Sequence, residues 1–141
     1  MINETMLLGN FVGDWQLKRQ IIDLLNGQDG QLYGSAKFTP LNDGLLYEEQ
    51  GQLTLSSGTV LQADRTYFWS DDACGIVVCF ENGTEFHRFE LIKRSHGSTH
   101  FCGDDVYNVA YDFERWPNWS ATWNVLGPRK NYKSVSRYNR I

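Results

Sequence analysis

Residues Trp119–Arg140 read WSATWNVLGPRKNYKSVSRYNR. Trp119, Ala121, Trp123, Val125 and Gly127 share one face at a period of two, the repeat of a strand. Gly127-Pro128 is a turn signal, because Gly tolerates positive φ and Pro fixes it. Beyond it, Lys130, Tyr132, Ser134, Ser136, Tyr138 and Arg140 again share a face. The stretch predicts a two-stranded hairpin. A strand this late in the chain needs a partner, and pairing it with the first strand would close a barrel.

Working back from the hairpin, alternation and turn residues predict further strands. The first opens at Gly13-Asp14-Trp15 and runs to about Leu25, with Trp15, Leu17, Arg19 and Ile21 on one face. Asn-Gly-Gln-Asp-Gly (26–30) turns the chain into a strand from Gln31 to Thr39, whose face Leu32, Gly34, Ala36 and Phe38 contains two small residues. Leu45–Leu55 places Tyr47, Glu49, Gly51 and Leu53 together, and Thr59–Trp69 does the same for Leu61, Ala63, Arg65, Tyr67 and Trp69. Gly75–Phe80 is apolar throughout, Asn82-Gly83 marks a hairpin, and Glu85–Lys93 alternates His87, Phe89 and Leu91 against Phe86, Arg88 and Glu90. Ser95–Ser98 reads as a turn. His100 and Cys102 share a face of a short strand, Gly103-Asp104 as a bend, and Val106–Phe113 as the strand that continues Asp105, Tyr107, Val109, Tyr111 and Phe113. Asn3–Leu8 suggests one helical turn.

These elements predict an all-β fold: a single antiparallel up-and-down β-barrel of about nine strands, occupying residues 1–141 as one domain. A two-sheet sandwich is the alternative arrangement. A chain of 141 residues with 14% aromatic side chains can line a barrel with large rings.

Composition narrows the class of function. A net charge of -4 argues against nucleic acid as the partner, since phosphate binding favours a basic surface. The stripe Arg129, Lys133, Arg137 is read as a solvated face. No apolar run is long enough for a transmembrane helix, and Met1–Asn10 lacks the basic and apolar regions of a signal peptide. Cys74, Cys79 and Cys102 are odd in number and read as free thiols in a reducing compartment, so a cytoplasmic location is expected.

Two sets of residues carry a resemblance. Gly13-Asp14-Trp15 at the first strand with Arg140 or Arg137 on the last resembles the lipocalin and fatty-acid-binding (calycin) pattern, in which a Trp packs against a late Arg across the closed barrel end. Tyr47-Glu48-Glu49 with Gly51, Arg65-Thr66-Tyr67-Phe68-Trp69, Gly83 with Phe86-His87, His100-Phe101-Cys102 with Asp105 and Tyr107, and Trp123 through Lys130 resemble a bacterial domain-of-unknown-function family, number 6314, of lipocalin-like barrels. The resemblance implies a fold and carries no reaction. Haem-binding barrels such as nitrobindin use a late His, and none follows His100 here.

The faces expected to point inward hold Arg19, Glu49, Arg65, Tyr67, Trp69, His87, His100, Asp105, Tyr107, Trp123 and Lys130. A purely structural core would be aliphatic, and buried charge is costly unless paired. The set is therefore read as the wall of a ligand cavity, with Arg19, Glu49, Arg65, Tyr67, Trp69, His87, His100, Tyr107, Trp123 and Lys130 as candidate ligand-binding residues. The expected partner is a small anionic or hydrogen-bonding molecule with an aromatic or apolar part. Two alternatives stand beside it. His87 or His100 with Glu49 or Asp105 would make a general acid–base pair for an enzyme, although no nucleophile motif, phosphate loop or cofactor fingerprint is present. A barrel held by internal ion pairs, without a ligand, is the other. His87, His100 and Cys102 are soft metal donors, and His-x-Cys puts two of them on one strand face, a spacing that permits a metal without being diagnostic of one; hydrogen-bonded histidines and a packed thiol are the other reading. Neither a metal nor a cofactor is expected, and the oligomeric state is not legible.

Overall fold

A computed structural model describes residues 6–141 of the chain. The fold is the expected all-β, antiparallel, up-and-down barrel, nearly closed. Its strands are β1 (Gly13–Asp23), β2 (Gly30–Leu41), β3 (Gly44–Leu55), β4 (Val60–Asp72), β5 (Gly75–Phe80), β6 (Glu85–Phe89), β7 (Arg94–His96), β8 (His100–Cys102), β9 (Asp105–Arg115), β10 (Asn118–Gly127) and β11 (Lys130–Arg140). Their order in the sheet is β6-β5-β4-β3-β2-β1-β11-β10-β9-β7, with β8 also paired to β9. The first and last strands pair directly, from Trp15 opposite Arg140 to Asp23 opposite Tyr132.

Eleven strands replace the nine or so expected. The stretch Glu85–Lys93 stops being a strand after Phe89, and the turn expected at Ser95–Ser98 begins as the short strand β7, paired with β9 through Arg94 and Asp112. Of the helical turn expected over Asn3–Leu8, residues 3–5 lie outside the described residues. The helical turn that is described is a 3-10 turn at Leu8–Phe11.

No ladder joins β6 to β9, so the sheet has a seam there. Residues Gly97 and Ser98 fill it. Ser98 donates its N–H to the Arg88 carbonyl at 2.8 Å, and its Oγ accepts from the Arg88 N–H at 2.9 Å. Gly97 donates to the Val109 carbonyl at 2.9 Å. A Cβ on Gly97 would lie 2.4 Å from Val109 Cγ1 and 3.3 Å from the Arg88 carbonyl oxygen, so Gly is required for the strap to lie this close.

One end of the barrel is plugged by aromatic rings. The 3-10 turn carries Phe11 beneath the strands, where it is fully buried. Its ring centroid lies 4.8–5.7 Å from those of Trp116, Trp119, Phe38, Trp69 and Phe113. Trp15 donates its indole N–H to the Phe11 carbonyl at 2.9 Å, which ties the plug to β1. Burial of a Phe side chain contributes roughly 1.5–3 kcal/mol; truncating Phe11 to Ala would also leave a cavity and cost about 3–5 kcal/mol. The plug closes this end of the barrel.

Candidate functional site

Above the aromatic floor the barrel encloses a cavity of about 360 Å³. This is the scale of a small-molecule site. Nine of the ten candidate ligand-binding residues lie on its wall: Arg19, Glu49, Arg65, Tyr67, Trp69, His87, His100, Tyr107 and Trp123. Lys130 does not. It stands at the rim, where its Nζ lies 3.0 Å from Asp105 Oδ2 and donates to the Tyr107 hydroxyl at 3.1 Å. Asp105, expected inward, is likewise drawn into this rim pair and is not on the wall.

The centre of the wall is a buried ion pair. Arg19 on β1 and Glu49 on β3 meet across β2, with Nη1–Oε2 at 2.6 Å and Nη2–Oε1 at 2.9 Å. The intervening β2 positions are Gly34 and Ala36, opposite Leu17 and Trp15 on one side and Gly51 and Glu49 on the other. Their small size lets the guanidinium cross the strand. A Cβ on Gly34 would lie 2.0 Å from the Gln50 carbonyl oxygen, so β2 and β3 also approach each other too closely there for any side chain.

The pair is fully hydrogen-bonded, as a buried charge requires. Arg19 Nε donates to Ser136 Oγ at 2.6 Å, and the Tyr47 hydroxyl donates to Glu49 Oε1 at 2.6 Å. Since the Tyr47 proton is committed to Glu49, the 2.8 Å contact between the Tyr47 and Tyr138 hydroxyls must be donated by Tyr138. The chain Tyr138→Tyr47→Glu49 is thus directional. Burial alone would raise the Glu49 pKa, but the Arg19 hydrogen bond and charge, with help from Arg65 and Tyr47, hold it below the usual carboxylate range. Burial opposes the Arg19 charge too, and Glu49 overcomes it, leaving the guanidinium charged. Burial and the Glu49 charge push the Tyr138 phenol up to about 12.

Arg65 on β4 stands directly opposite Glu49 in the β3–β4 ladder. Both Glu49 oxygens are already engaged by Arg19 and Tyr47. Among the described residues no ion pair is made by Arg65. Two arginines against one glutamate leave the wall with one positive charge.

His87 on β6 is almost fully buried, its Nε2 2.8 Å from the Tyr111 hydroxyl. Its Nδ1 has no hydrogen-bond partner among the described residues. Burial, followed by the charge of His100, lowers its pKa to about 3, so the ring is neutral near pH 7. The acid–base pairing of a His with Glu49 or Asp105 is not formed: His87 meets Tyr111, Glu49 meets Arg19 and Tyr47, and Asp105 meets Lys130. His100 and Cys102 share the wall, as their spacing on β8 requires. No group of three His, Cys, Asp or Glu among the described residues is placed to hold a metal ion.

Phe86 is the wall residue that alternation put on the wrong face. Val78 pairs with His87 and Cys79 with Glu85, so Phe86 is an extra residue in β6, a β-bulge that turns two successive side chains inward. Its ring stacks on Trp123 at 4.8 Å with the planes 8° apart. The Asn82-Gly83 turn two residues upstream gave no sign of the bulge. Tyr47, Tyr111, Trp119, Tyr132, Ser134, Ser136 and Tyr138 also line the cavity. All were legible as inward-facing, and all but Trp119 add a hydroxyl to the wall.

With this geometry in view, two solved structures are similar in fold. The S-type phycobiliprotein lyase of Guillardia theta superimposes with a TM-score of 0.68 at 10% identity, covering 97% of this chain and 94% of that one. A protein of unknown function of the DUF3598 family from Nostoc punctiforme gives a TM-score of 0.62 at 10% identity, covering 96% of this chain and 49% of that one. At this identity the likeness is one of fold alone. No curated protein matches the sequence. The family of unknown function DUF6314 matches residues 11–140, nearly the whole barrel from the Phe11 plug to the Arg140 strand, and the chain belongs to that family.

Proposed function

We propose that the barrel is a binding protein for a small anionic or hydrogen-bonding molecule with an aromatic or apolar part, held inside the cavity. One observation carries the reading: a cavity of about 360 Å³ whose wall combines flat rings with a guanidinium, that of Arg65, which makes no ion pair among the described residues. A structural barrel would have its charges paired and its interior filled. Here Arg19 is paired inside, while the space remains and Arg65 reaches its wall from an exposed position. One solved structure of similar fold is a phycobiliprotein lyase, which is compatible with a barrel that handles a small molecule. Binding is favoured over catalysis because His87 is neutral, buried and matched to a phenol rather than to a carboxylate. Three free thiols fit a reducing, cytoplasmic setting. No helix among the described residues is long and apolar enough to cross a membrane.

The test is thermal denaturation against a panel of small aromatic acids, with 2-naphthoate as the first probe. A ligand at 100-fold its Kd adds about 2.7 kcal/mol of stability. Ala121→Phe places a ring in the cavity from β10 and should abolish the gain. A panel that leaves the wild-type melting temperature unmoved overturns the reading.

A further inference from the structure

Resting on that reading, we propose that the ligand is an aryl monocarboxylate, its carboxylate on Arg65, Tyr67 and Tyr132 toward the mouth and its ring against Phe86 and Trp123. The argument begins with position along the strands. In β4, Trp69 belongs to the aromatic floor, with its ring 5.5 Å from Phe11, while Arg65 lies four residues nearer the open end. In β11, Tyr138 stacks on Trp119 at the floor, and Tyr132 lies at the opposite end of the strand. The unpaired charge of the wall is therefore on the mouth side, and Arg65 is exposed enough to meet a ligand.

Two phenols share the wall with Arg65. Tyr67 lies two residues from Arg65 on β4, so both side chains share the face that lines the cavity. The half-buried Tyr132 lines the same wall, and Val125 of β10 lies between it and Tyr107, paired with both. A planar guanidinium with two hydroxyls beside it matches the two oxygens of a carboxylate. Charge sets the valence. Lys130 is occupied by Asp105, and Arg19 by Glu49, so one positive charge is left to be neutralised. A dianionic head would add a second negative charge beside Glu49, which faces Arg65 across the ladder, and Asp105 at the rim. A phosphate monoester is thus disfavoured, and a neutral alcohol leaves Arg65 unsatisfied.

The aromatic part of the wall selects the other end of the ligand. Phe86 and Trp123 form a stacked pair, and His87 meets Trp123 edge-on at 4.9 Å. A flat ring laid on this surface gains the stacking energy of an aromatic pair and displaces water from apolar surface.

Calorimetric titration of the whole protein with a matched naphthalene set tests the inference: 2-naphthoate, 2-naphthylmethanol and 2-naphthyl phosphate. The carboxylate should bind about tenfold or more tighter than either the alcohol or the phosphate, the range of a charge-assisted hydrogen bond. Arg65→Ala, and separately Arg65→Gln, should erase that preference and leave the alcohol within about twofold. Tyr132→Phe should weaken the carboxylate alone. Equal affinity for acid and alcohol, tighter binding of the phosphate, or an acid preference unchanged in both Arg65 variants overturns this assignment while leaving the binding reading intact. Failure of every probe to bind the wild type overturns both.

Discussion

The guanidinium of Arg140 lies over the indole of Trp15, its central carbon 4.0 Å from the ring centroid, although the two residues are the outermost registered pair of β1 and β11. The same guanidinium donates from Nη1 to the Val12 carbonyl at 2.8 Å and from Nη2 to the Asn10 carbonyl. One side chain on the last strand thus fastens the first strand and the segment that carries the Phe11 plug.

Arg140→Ala should accordingly destabilise the protein by about 1–2 kcal/mol, combining an arginine–indole contact with hydrogen bonds from a charged donor. Arg140→Lys should recover only part, because an ammonium cannot lie flat on the ring and reach both carbonyls. Urea unfolding of the three proteins gives the comparison. Equal stability of Arg140→Ala and wild type would refute the clasp.

The Arg19–Glu49 pair should behave asymmetrically. Glu49→Ala leaves a guanidinium buried without its partner and should cost about 3–5 kcal/mol. The double variant Arg19→Met/Glu49→Leu removes both charges and should regain much of that loss. Denaturant midpoints of the two single variants and the double close the cycle, and additive losses would show that the pair is not coupled.

Alternation on long strands made most of this legible. β1, β3 and β11 run ten or more residues with one face largely buried, so Arg19, Glu49 and Ser136 could each be placed inside from sequence; β4 buries only Trp69, and Arg65, expected inside, reaches the cavity wall from an exposed position. Arg140 rather than Arg137 against Trp15 follows from the same rule, since Arg137 pairs with Lys18 on the outer face. Phe86 could not be placed, because one inserted residue in β6 reverses the rule locally and nothing in its own residues announces it. β7 was missed because three residues carry no period. Which arginine Glu49 would choose was open as well. Direct cross-strand register favours Arg65, and only the narrowness of Gly34 and Ala36 lets Arg19 reach across instead.

His87 makes stability fall with acid earlier than carboxylates alone would. Its pKa is lowered from 6.5 to about 3 by burial and by His100, so between these values the unfolded chain takes up a proton that the folded chain refuses. Stability is then greatest above pH 6.5 and declines toward pH 3 by up to about 1.4 kcal/mol per pH unit. Glu49 acts in the same direction at lower pH, its depressed pKa supplying stability that is lost as the carboxylate protonates. His87→Gln cannot titrate and keeps a polar group beside Tyr111. Its unfolding free energy should depend less steeply on pH from 6.5 to 4.5, and parallel profiles would contradict the burial argument.

The thiols should separate into two classes. Cys74 and Cys102 are exposed and Cys79 is half-buried. Titration of the native protein with a chromogenic disulfide should show two fast equivalents and a slower third, with all three fast after unfolding. Cys102 lies on the cavity wall, so saturating 2-naphthoate should slow one fast equivalent, and Cys102→Ser should remove that one. Protection of Cys74 instead would place the probe outside the barrel.

The seam between β6 and β9 also governs how the fold is assembled. The free edges of the sheet belong to β6 and β7, which are in the middle of the chain, whereas β1 and β11 are joined by a ladder from Trp15–Arg140 to Asp23–Tyr132. Every other pairing in the main path except β7 with β9 links strands adjacent in sequence. Closure therefore waits on the most distant contact available, which raises contact order and slows folding. During synthesis β1 keeps one edge unsatisfied until β11 has emerged, and the Phe11 plug stays unclasped until Arg140 does. A chain reordered to begin near Arg94 and end near Phe89, with β11 linked to β1, would turn that longest contact into a local one and should fold faster to the same barrel.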